Sequence, residues 1–286
     1  MVSMKGIMCC VKIVSFAVIC CLSSCTDDKN NLTAEFEEAA TRTEMEGEDG
    51  MKVFKNNYVC LAYPESMGMR LDSEEDNPFM EDVFIYGGGM YISIESVAFA
   101  IDEDAYVTQT YKDSSYRPLI SRENTILDGR VVTTCYSESE EFIRTEYVYQ
   151  NGKATLVVTV GRKKGVQTDY DLAAHFRWVM QEKVNVNWMS EMERFIATVN
   201  QGYQDEGRRN SYMKIDSGQG LFIIHKEKHG TVESWEEALE ELSGIIGSVS
   251  VFKQCAEAGY TFLLEAVDED DNVTLSYRFT PEDYNK

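Results

Sequence analysis

The chain has three histidines, His175, His225 and His229. His225-Lys226-Glu227-Lys228-His229 could hold a metal only where the backbone brings positions four apart together, as a helix does. The run follows Phe222-Ile223-Ile224 and reads as strand and loop, so a solvated strand end is expected. His175 stands one position before Phe176 beside an apolar stripe, with no serine or cysteine partner that would mark a triad; it reads as a helix-surface or core-edge residue. Gly87-Gly88-Gly89 has the glycine content of a phosphate loop. Phosphate cradles open a helix, however, and Met90-Tyr91-Ile92-Ser93-Ile94 alternates as a strand, so a hairpin or bulge is expected. Asp268-x-Asp270-x-Asn272 begins like a calcium loop, but Val273 stands where that loop requires glycine and Phe279 where it requires a bidentate glutamate. A full EF-hand site is excluded, and weak calcium binding at an acidic tip is all that is left. Glycoside hydrolysis needs a pair of carboxylates, and nothing singles out a pair among 49 acids. Trp178, Trp188 and Trp235, with 16 tyrosines, could supply a stacking platform for sugar. Trp188 and Trp235 fall on inward helical stripes, whereas Trp178 lies off its stripe and is the tryptophan placed for contact with a ligand. The residues name no catalytic set, no cofactor and no metal.

The elements that must carry these residues are constrained first by composition. A length of 286 residues allows one large or two modest domains, and 43% hydrophobic with 27% charged residues is ordinary globular composition. Lys and Arg number 27 against 49 Asp and Glu, a formal charge of −22. A polyanion is repelled by most of such a surface, so nucleic acid is not an expected partner.

Residues 1–24 carry Lys5 and Lys12 and no acid, followed by the apolar run Ile13 to Leu22. The run is short of the roughly 20 residues that a spanning helix needs and reads as a cleaved signal peptide. Leu22-Ser23-Ser24-Cys25 resembles the lipobox of bacterial lipoproteins, and Thr26-Asp27-Asp28-Lys29 looks like the acidic export tag of Bacteroidota lipoproteins. The resemblance implies that Cys25 is acylated and becomes the new N-terminus, with the protein anchored in the outer membrane and either periplasmic or surface-exposed. Two or three acyl chains make a stable anchor, since each buried methylene contributes about 0.8 kcal/mol. Loss of Lys5 and Lys12 with the signal takes the mature charge to −24. Cys9, Cys10, Cys20 and Cys21 leave with it, so Cys60, Cys135 and Cys255 stay as side chains outside the anchor. Three is odd. All three fall in strand-like segments and read as inert buried thiols, with a Cys60–Cys135 bridge as the alternative in an oxidising envelope.

Residues 25–51 are rich in acids and poor in large apolar residues, and read as a solvated tether with transient helix near Thr33–Thr43. From residue 52 the pattern is strand-rich. Asn57 to Tyr63 is a β-prone run ended by Pro64, and Asp82–Tyr86 and Met90–Ser96 are two more. Asp128-Gly129 and Asn151-Gly152 are hairpin turns, which predicts an antiparallel meander from about 118 to 161. Leu172, Phe176, Val179 and Met180 have helical spacing and predict a helix covering that sheet. Trp188, Met192, Phe195, Ile196 and Val199 predict a second helix, with Ser190-x-x-Glu193 as its capping box. The tail reads as a strand at 220–224, a helix from the Ser234-x-x-Glu237 capping box to Gly247, then strands at 248–253, 260–267 and 273–279. Strands, helix and meander in that order also fit 82–160, as a degenerate second copy would.

The fold class is therefore α+β, with antiparallel meander sheets packed against helices. Phe54-x-x-x-Tyr58-Val59-x-Leu61-x-Tyr63-Pro64, Leu127-Asp128-Gly129-Arg130 and Tyr149-Gln150-Asn151-Gly152 resemble the PsbP/Mog1/DcrB-type sandwich. The resemblance covers residues 52–186, leaving a helix and a smaller strand-helix-three-strand unit in 187–286. It implies a non-catalytic binding, assembly or chaperone-like role and brings no catalytic residue. The function expected is that of a lipid-anchored envelope protein that binds a partner, such as a basic protein steered by the −24 charge. A glycan-binding module, or a carboxylate-dependent hydrolase of envelope or dietary glycans, is the alternative.

Overall fold

A computed structural model describes residues 45–46, 50–71, 80–112, 117–182, 186–205, 207–227, 234–268 and 270–284. The signal peptide, Cys25, the predicted helix near Thr33–Thr43 and His229 lie outside the described residues. The protein is mixed α+β with mostly antiparallel sheets, and it divides into two compact units at residues 184 and 185.

The first unit is built on two sheets. The smaller has the order β1-β2-β3-β11, from Met45–Glu46, Met51–Lys55, Val59–Pro64 and Phe176–Trp178. Met45 and Glu46 pair with Val53 and Lys52, so a stretch read as tether contributes a short strand. The larger sheet has seven antiparallel strands: β4 (Gly68–Leu71), β5 (Met80–Gly87), β6 (Met90–Val97), β7 (Leu119–Leu127), β8 (Arg130–Glu138), β9 (Phe142–Gln150) and β10 (Thr155–Lys163). Their spatial order is β4-β5-β6-β10-β9-β8-β7. The predicted meander is its β7 to β10 half. Asp128 and Gly129 take φ values of 44° and 81°, the left-handed pair that a two-residue hairpin needs. Asn151 Oδ1 accepts from the N–H groups of Lys153 and Ala154, which closes the second turn.

Residues at alternate positions meet across the two sheets. Phe54, Leu61 and Tyr63 of the small sheet, Val83, Ile85, Ile92 and Ile94 of β5 and β6, and Leu156 and Val158 of β10 form one buried cluster. Helix α1, Glu103–Tyr111, is capped by Asp102, whose carboxylate accepts from the N–H groups of Asp104 and Ala105. It packs on the opposite face of the large sheet, where Glu103 accepts from the hydroxyl of Thr133 and Tyr111 donates to Glu146.

The helix predicted through Met180 is not formed. Only Leu172–His175 is helical (α2), and Phe176–Trp178 pairs with β3. Phe176 is buried and Arg177 exposed, a period of two that the neighbouring strand rewards with backbone hydrogen bonds. The four-residue spacing of Leu172 and Phe176 is met equally well by a short turn entering a strand.

The second unit contains α3 (Trp188–Asp205), β12 (Tyr212–Asp216), β13 (Leu221–Glu227), α4 (Trp235–Ser248), α5 (Ser250–Glu257), β14 (Thr261–Val267), β15 (Val273–Phe279) and α6 (Pro281–Tyr284). Helix α3 follows its predicted face, with Met192, Phe195, Ile196 and Val199 buried. Its first turn is held by Asn187, whose side chain accepts from Met189 N–H, three residues ahead of the predicted cap box at Ser190. Ser234 caps α4 as predicted.

The strand expected at 248–253 is instead the end of α4 and the start of α5. Strand β13 pairs with β14 in parallel, and a parallel pair needs a long crossover that a helix supplies. In α5, Val251, Phe252, Cys255 and Ala256 form the buried helical face, so Cys255 lies on a helix rather than in the expected strand. Strand β12 was not expected, and it pairs with β13 at the edge of the sheet. Among the described residues, no helix is long and apolar enough to cross a membrane.

Candidate functional site

The register of the large sheet assigns its residues to two faces, because residues directly opposite one another point the same way. One face is the apolar core. The other carries Phe84 and Tyr86 on β5, Tyr91, Ser93 and Glu95 on β6, Thr159 and Gly161 on β10, Phe142, Arg144 and Glu146 on β9, and Cys135 and Ser137 on β8. For a sheet face beneath a single short helix this is a concentration of aromatic and ionisable groups.

At one end the aromatic residues form a row. Phe84 stacks on Tyr91 with ring centroids 5.2 Å apart, Tyr86 lies 5.7 Å from Phe84, and Phe142 meets Tyr91 edge-on at 5.7 Å. Arg70 of β4 sits over the Phe84 ring at 4.9 Å, and 46% of Tyr86 is exposed. The row crosses β10 at Gly161. A Cβ there would stand 2.1 Å from Cε1 and 2.2 Å from Cζ of Tyr91, so the absent side chain is what lets the tyrosine lie across the strand. Its hydroxyl thereby accepts from Arg144 Nε at 2.8 Å. Burial raises the phenol above its ordinary pKa despite that arginine, so the hydroxyl stays neutral.

At the other end the ionisable groups gather under α1. Glu146 is 1% exposed; its carboxylate accepts from Tyr111 at 2.7 Å and pairs with Arg117, which also reaches the Tyr111 hydroxyl. Glu95 makes no side-chain hydrogen bond to a described residue, and desolvation drives its carboxyl up to about 7, with Arg117 pulling the other way. Two carboxyl groups on one face thus have unlike surroundings: Glu146 is paired with Arg117 and bonded by Tyr111, whereas Glu95 is desolvated.

The residues singled out by sequence are not brought together. Trp178 is half-buried on β11: its indole N–H donates to the Leu127 carbonyl at 2.7 Å, and its ring lies 4.7 Å from both Tyr149 and Phe176, beneath Arg130 at 5.0 Å. His175 stacks on Tyr170. His225 is not the solvated strand end expected, because β13 is flanked by β12 and β14. The ring is 6% exposed, with Nδ1 2.8 Å from Glu265, Nε2 3.1 Å from Asp271 and the Tyr212 ring stacked at 4.6 Å. Trp235, read as inward, is 36% exposed against Phe279, and Trp188 is half-buried against Tyr260.

The acidic tip is an internally bonded turn. Asp268 accepts from the N–H groups of Asp270 and Asn272, and these bonds hold its carboxyl below the ordinary range. Among the described residues, no three His, Cys, Asp or Glu side chains gather as a metal site. Cys60, Cys135 and Cys255 are unpaired thiols; burial pushes Cys135 up to about 11 and Cys255 up to about 12.

Sequence reading missed Glu95, Arg117, Arg144 and Glu146. A signal was present in the alternation Tyr91-x-Ser93-x-Glu95 and Phe142-x-Arg144-x-Glu146, which is polar or aromatic at every position facing away from Ile92, Ile94 and Tyr147. Two strands with ionisable residues on the same side of one sheet mark a face that is not core.

No protein-family model matches the chain, and no curated protein matches it. Among solved structures, a protein of Bacteroides thetaiotaomicron VPI-5482 is similar at 14% identity and a TM-score of 0.26, with 66% of this chain and 65% of that chain covered. The chain thus spans just under two thirds of that protein's length. A likeness at this level carries no argument about fold or function.

Proposed function

We propose that this is a lipid-anchored protein of the bacterial outer membrane, acylated at Cys25, that binds or assembles with a protein partner through the aromatic face of its first unit. The observation that carries the reading is the Phe84-Tyr86-Tyr91-Phe142 row with Arg70 across it, on the sheet face away from the core. Aromatic residues and arginine are the types enriched at the centres of protein interfaces. The mature charge of −24 would steer a basic partner toward the molecule. Two sheets sharing one apolar core support the PsbP/Mog1/DcrB-type reading of residues 52–186, a group with binding and assembly roles. The test has two arms. Cys25→Ser should release the protein from the membrane fraction and remove its acyl mass. In-cell crosslinking should recover a partner that Tyr86→Ala loses by about tenfold or more, the order of a hot-spot truncation. Recovery of the same partner at the same yield by Tyr86→Ala refutes the face.

A second reading is favoured by one observation, the carboxyl of Glu95 raised to about 7 on the same face as Glu146, which Arg117 and Tyr111 engage. Paired carboxyl groups in unlike surroundings are the equipment of a glycan hydrolase. Turnover of an envelope or dietary polysaccharide that is abolished by Glu95→Gln would establish it. A glycan-binding module would instead show sugar-dependent quenching of Trp178.

A further inference from the structure

A neutral imidazole carries one N–H and donates to one acceptor. His225 faces two. Its Nδ1 lies 2.8 Å from a carboxylate oxygen of Glu265 and its Nε2 3.1 Å from one of Asp271. A carboxylate accepts hydrogen bonds and gives none, so both contacts are hydrogen bonds only when both ring nitrogens carry protons. The geometry is that of an imidazolium.

The groups around the ring suit that charge. The Tyr212 ring of β12 stacks on the imidazole at 4.6 Å, within the distance at which an aromatic face attracts a cation. Burial, with the carboxylates of Glu265 and Asp271, raises the Tyr212 phenol, which therefore stays neutral. Glu227, two positions along β13 on the same face, accepts from the Asn210 N–H, and Ser276 of β15 stands opposite Glu265. The cations of that face, Lys214 of β12 and Arg278 of β15, lie one register row away on the outer strands, with Ile223 and Leu263 between them. Both are exposed, so water screens their repulsion.

The two bonds are not equivalent. Glu265 is fixed in β14, in register with His225, and its side chain is 21% exposed. Asp271 belongs to the turn between β14 and β15 and is 59% exposed. A ring that has lost one proton keeps its N–H on Glu265, because the better-buried carboxylate costs more to leave unpaired. Nε2 and the Asp271 carboxylate then face each other as two acceptors. Asp271 also has a φ of 63°, the left-handed region that a residue with a side chain enters at a cost. The other bonds of the turn run through Asp268 and close it on itself: Asp270 and Asn272 donate to the Asp268 carboxylate, and Asp271 N–H to its carbonyl. The bond from His225 is the one that ties Asp271 back to β13, 46 residues earlier in the chain.

We propose that His225 is a proton-operated latch in the second unit: as imidazolium it pins the β14–β15 turn to β13 through Asp271, and as neutral imidazole it keeps Glu265 and releases the turn. Imidazole is the side chain whose ordinary titration falls between pH 5 and 8, so the latch responds to mild acidity. It does not depend on the partner-binding reading of the first unit.

The test uses the purified full chain and NMR. The ring nitrogen shifts of His225, assigned by their loss in His225→Gln, should show two protonated nitrogens at pH 5.5 and one at pH 8. Amide exchange at Asp270, Asp271 and Asn272, corrected for its intrinsic pH dependence, should be about three- to fivefold faster at pH 8, the order of an ion pair with one exposed member. Asp271→Asn keeps a residue that tolerates the left-handed conformation and removes the charge. It should bring that ratio to about one while the His225 ring still titrates, and His225→Gln should bring it to about one as well. A singly protonated ring at pH 5.5, corrected exchange in the turn that is the same at both pH values, or a ratio that survives in Asp271→Asn overturns the proposal.

Discussion

Replacing Gly161 by alanine puts the geometry of the aromatic face under direct test. In an ordinary strand the change stabilises by about 0.5–1 kcal/mol, because glycine loses more backbone freedom on folding. Here the new Cβ would lie 2.1 Å from Cε1, 2.2 Å from Cζ and 2.7 Å from the hydroxyl of Tyr91. The ring cannot swing aside freely, since Phe84 stacks on it, Phe142 meets its edge and Arg144 is bonded to its hydroxyl. Overpacking of this kind costs about 1–3 kcal/mol, and loss of the hydrogen bond from Arg144 adds about 1.5–3 kcal/mol because its donor is charged. The net expectation is a destabilisation of about 1.5–5.5 kcal/mol by urea titration. In a Tyr91→Ala background the clash is gone, so Gly161→Ala should become neutral or mildly stabilising. An equal loss of stability in both backgrounds would refute the account of why glycine occupies this position.

Further predictions concern the ionisable groups beside that row. The folded carboxyl of Glu95 titrates near 7 against an ordinary value of 4.5; below the lower value both states are protonated, and as pH rises the unfolded chain ionises first. Stability is therefore lost between those limits, by about 3 kcal/mol at 1.36 kcal/mol per unit. Glu95→Gln should match the parent near pH 4.5 and exceed it at pH 8, and equal urea midpoints at both pH values would show that the carboxyl is not desolvated. Glu146→Gln leaves Arg117 without its buried carboxylate and should cost about 3 kcal/mol or more, read as faster hydrogen exchange through residues 103–111; unchanged exchange there would mean that the pair does not hold α1. In the native protein Cys60, the half-buried thiol, should be alkylated well before Cys135 and Cys255, whose burial raises them to about 11 and 12. Mass mapping of a short labelling time course checks the order.

The elements legible in the sequence were those with a local cause. Asp128-Gly129 sets its hairpin through the left-handed backbone of both residues, Asn151-Gly152 through the Asn151 side chain and the positive φ of Gly152, and the meander between them followed. The buried stripe of α3 was legible because its repeat runs long enough to exclude a strand. Ser234 could be named as a cap because its hydroxyl bonds an N–H three residues away. For Leu172 to Met180 and Ser248 to Lys253, short apolar runs fit both helix and strand, and the outcome rested on partners that local spacing does not reveal. Phe176 found Leu61, distant in the chain, and became strand; Val251 and Phe252 lay in the crossover between β13 and β14 and became helix.

What the sequence determined by itself was the charge, the periodicities, the turns and the expectation of an anchor at Cys25, each a property of residues within a few positions of one another. Tertiary structure alone decided that His225 is enclosed by Glu265, Asp271 and Tyr212, and that Glu95, Arg144 and Glu146 share one face of one sheet, with Arg117 paired to Glu146. The physical reason is that desolvation and pairing depend on which surfaces meet. An aspartate, an arginine or a histidine carries no mark of its burial until strands remote in sequence lie side by side.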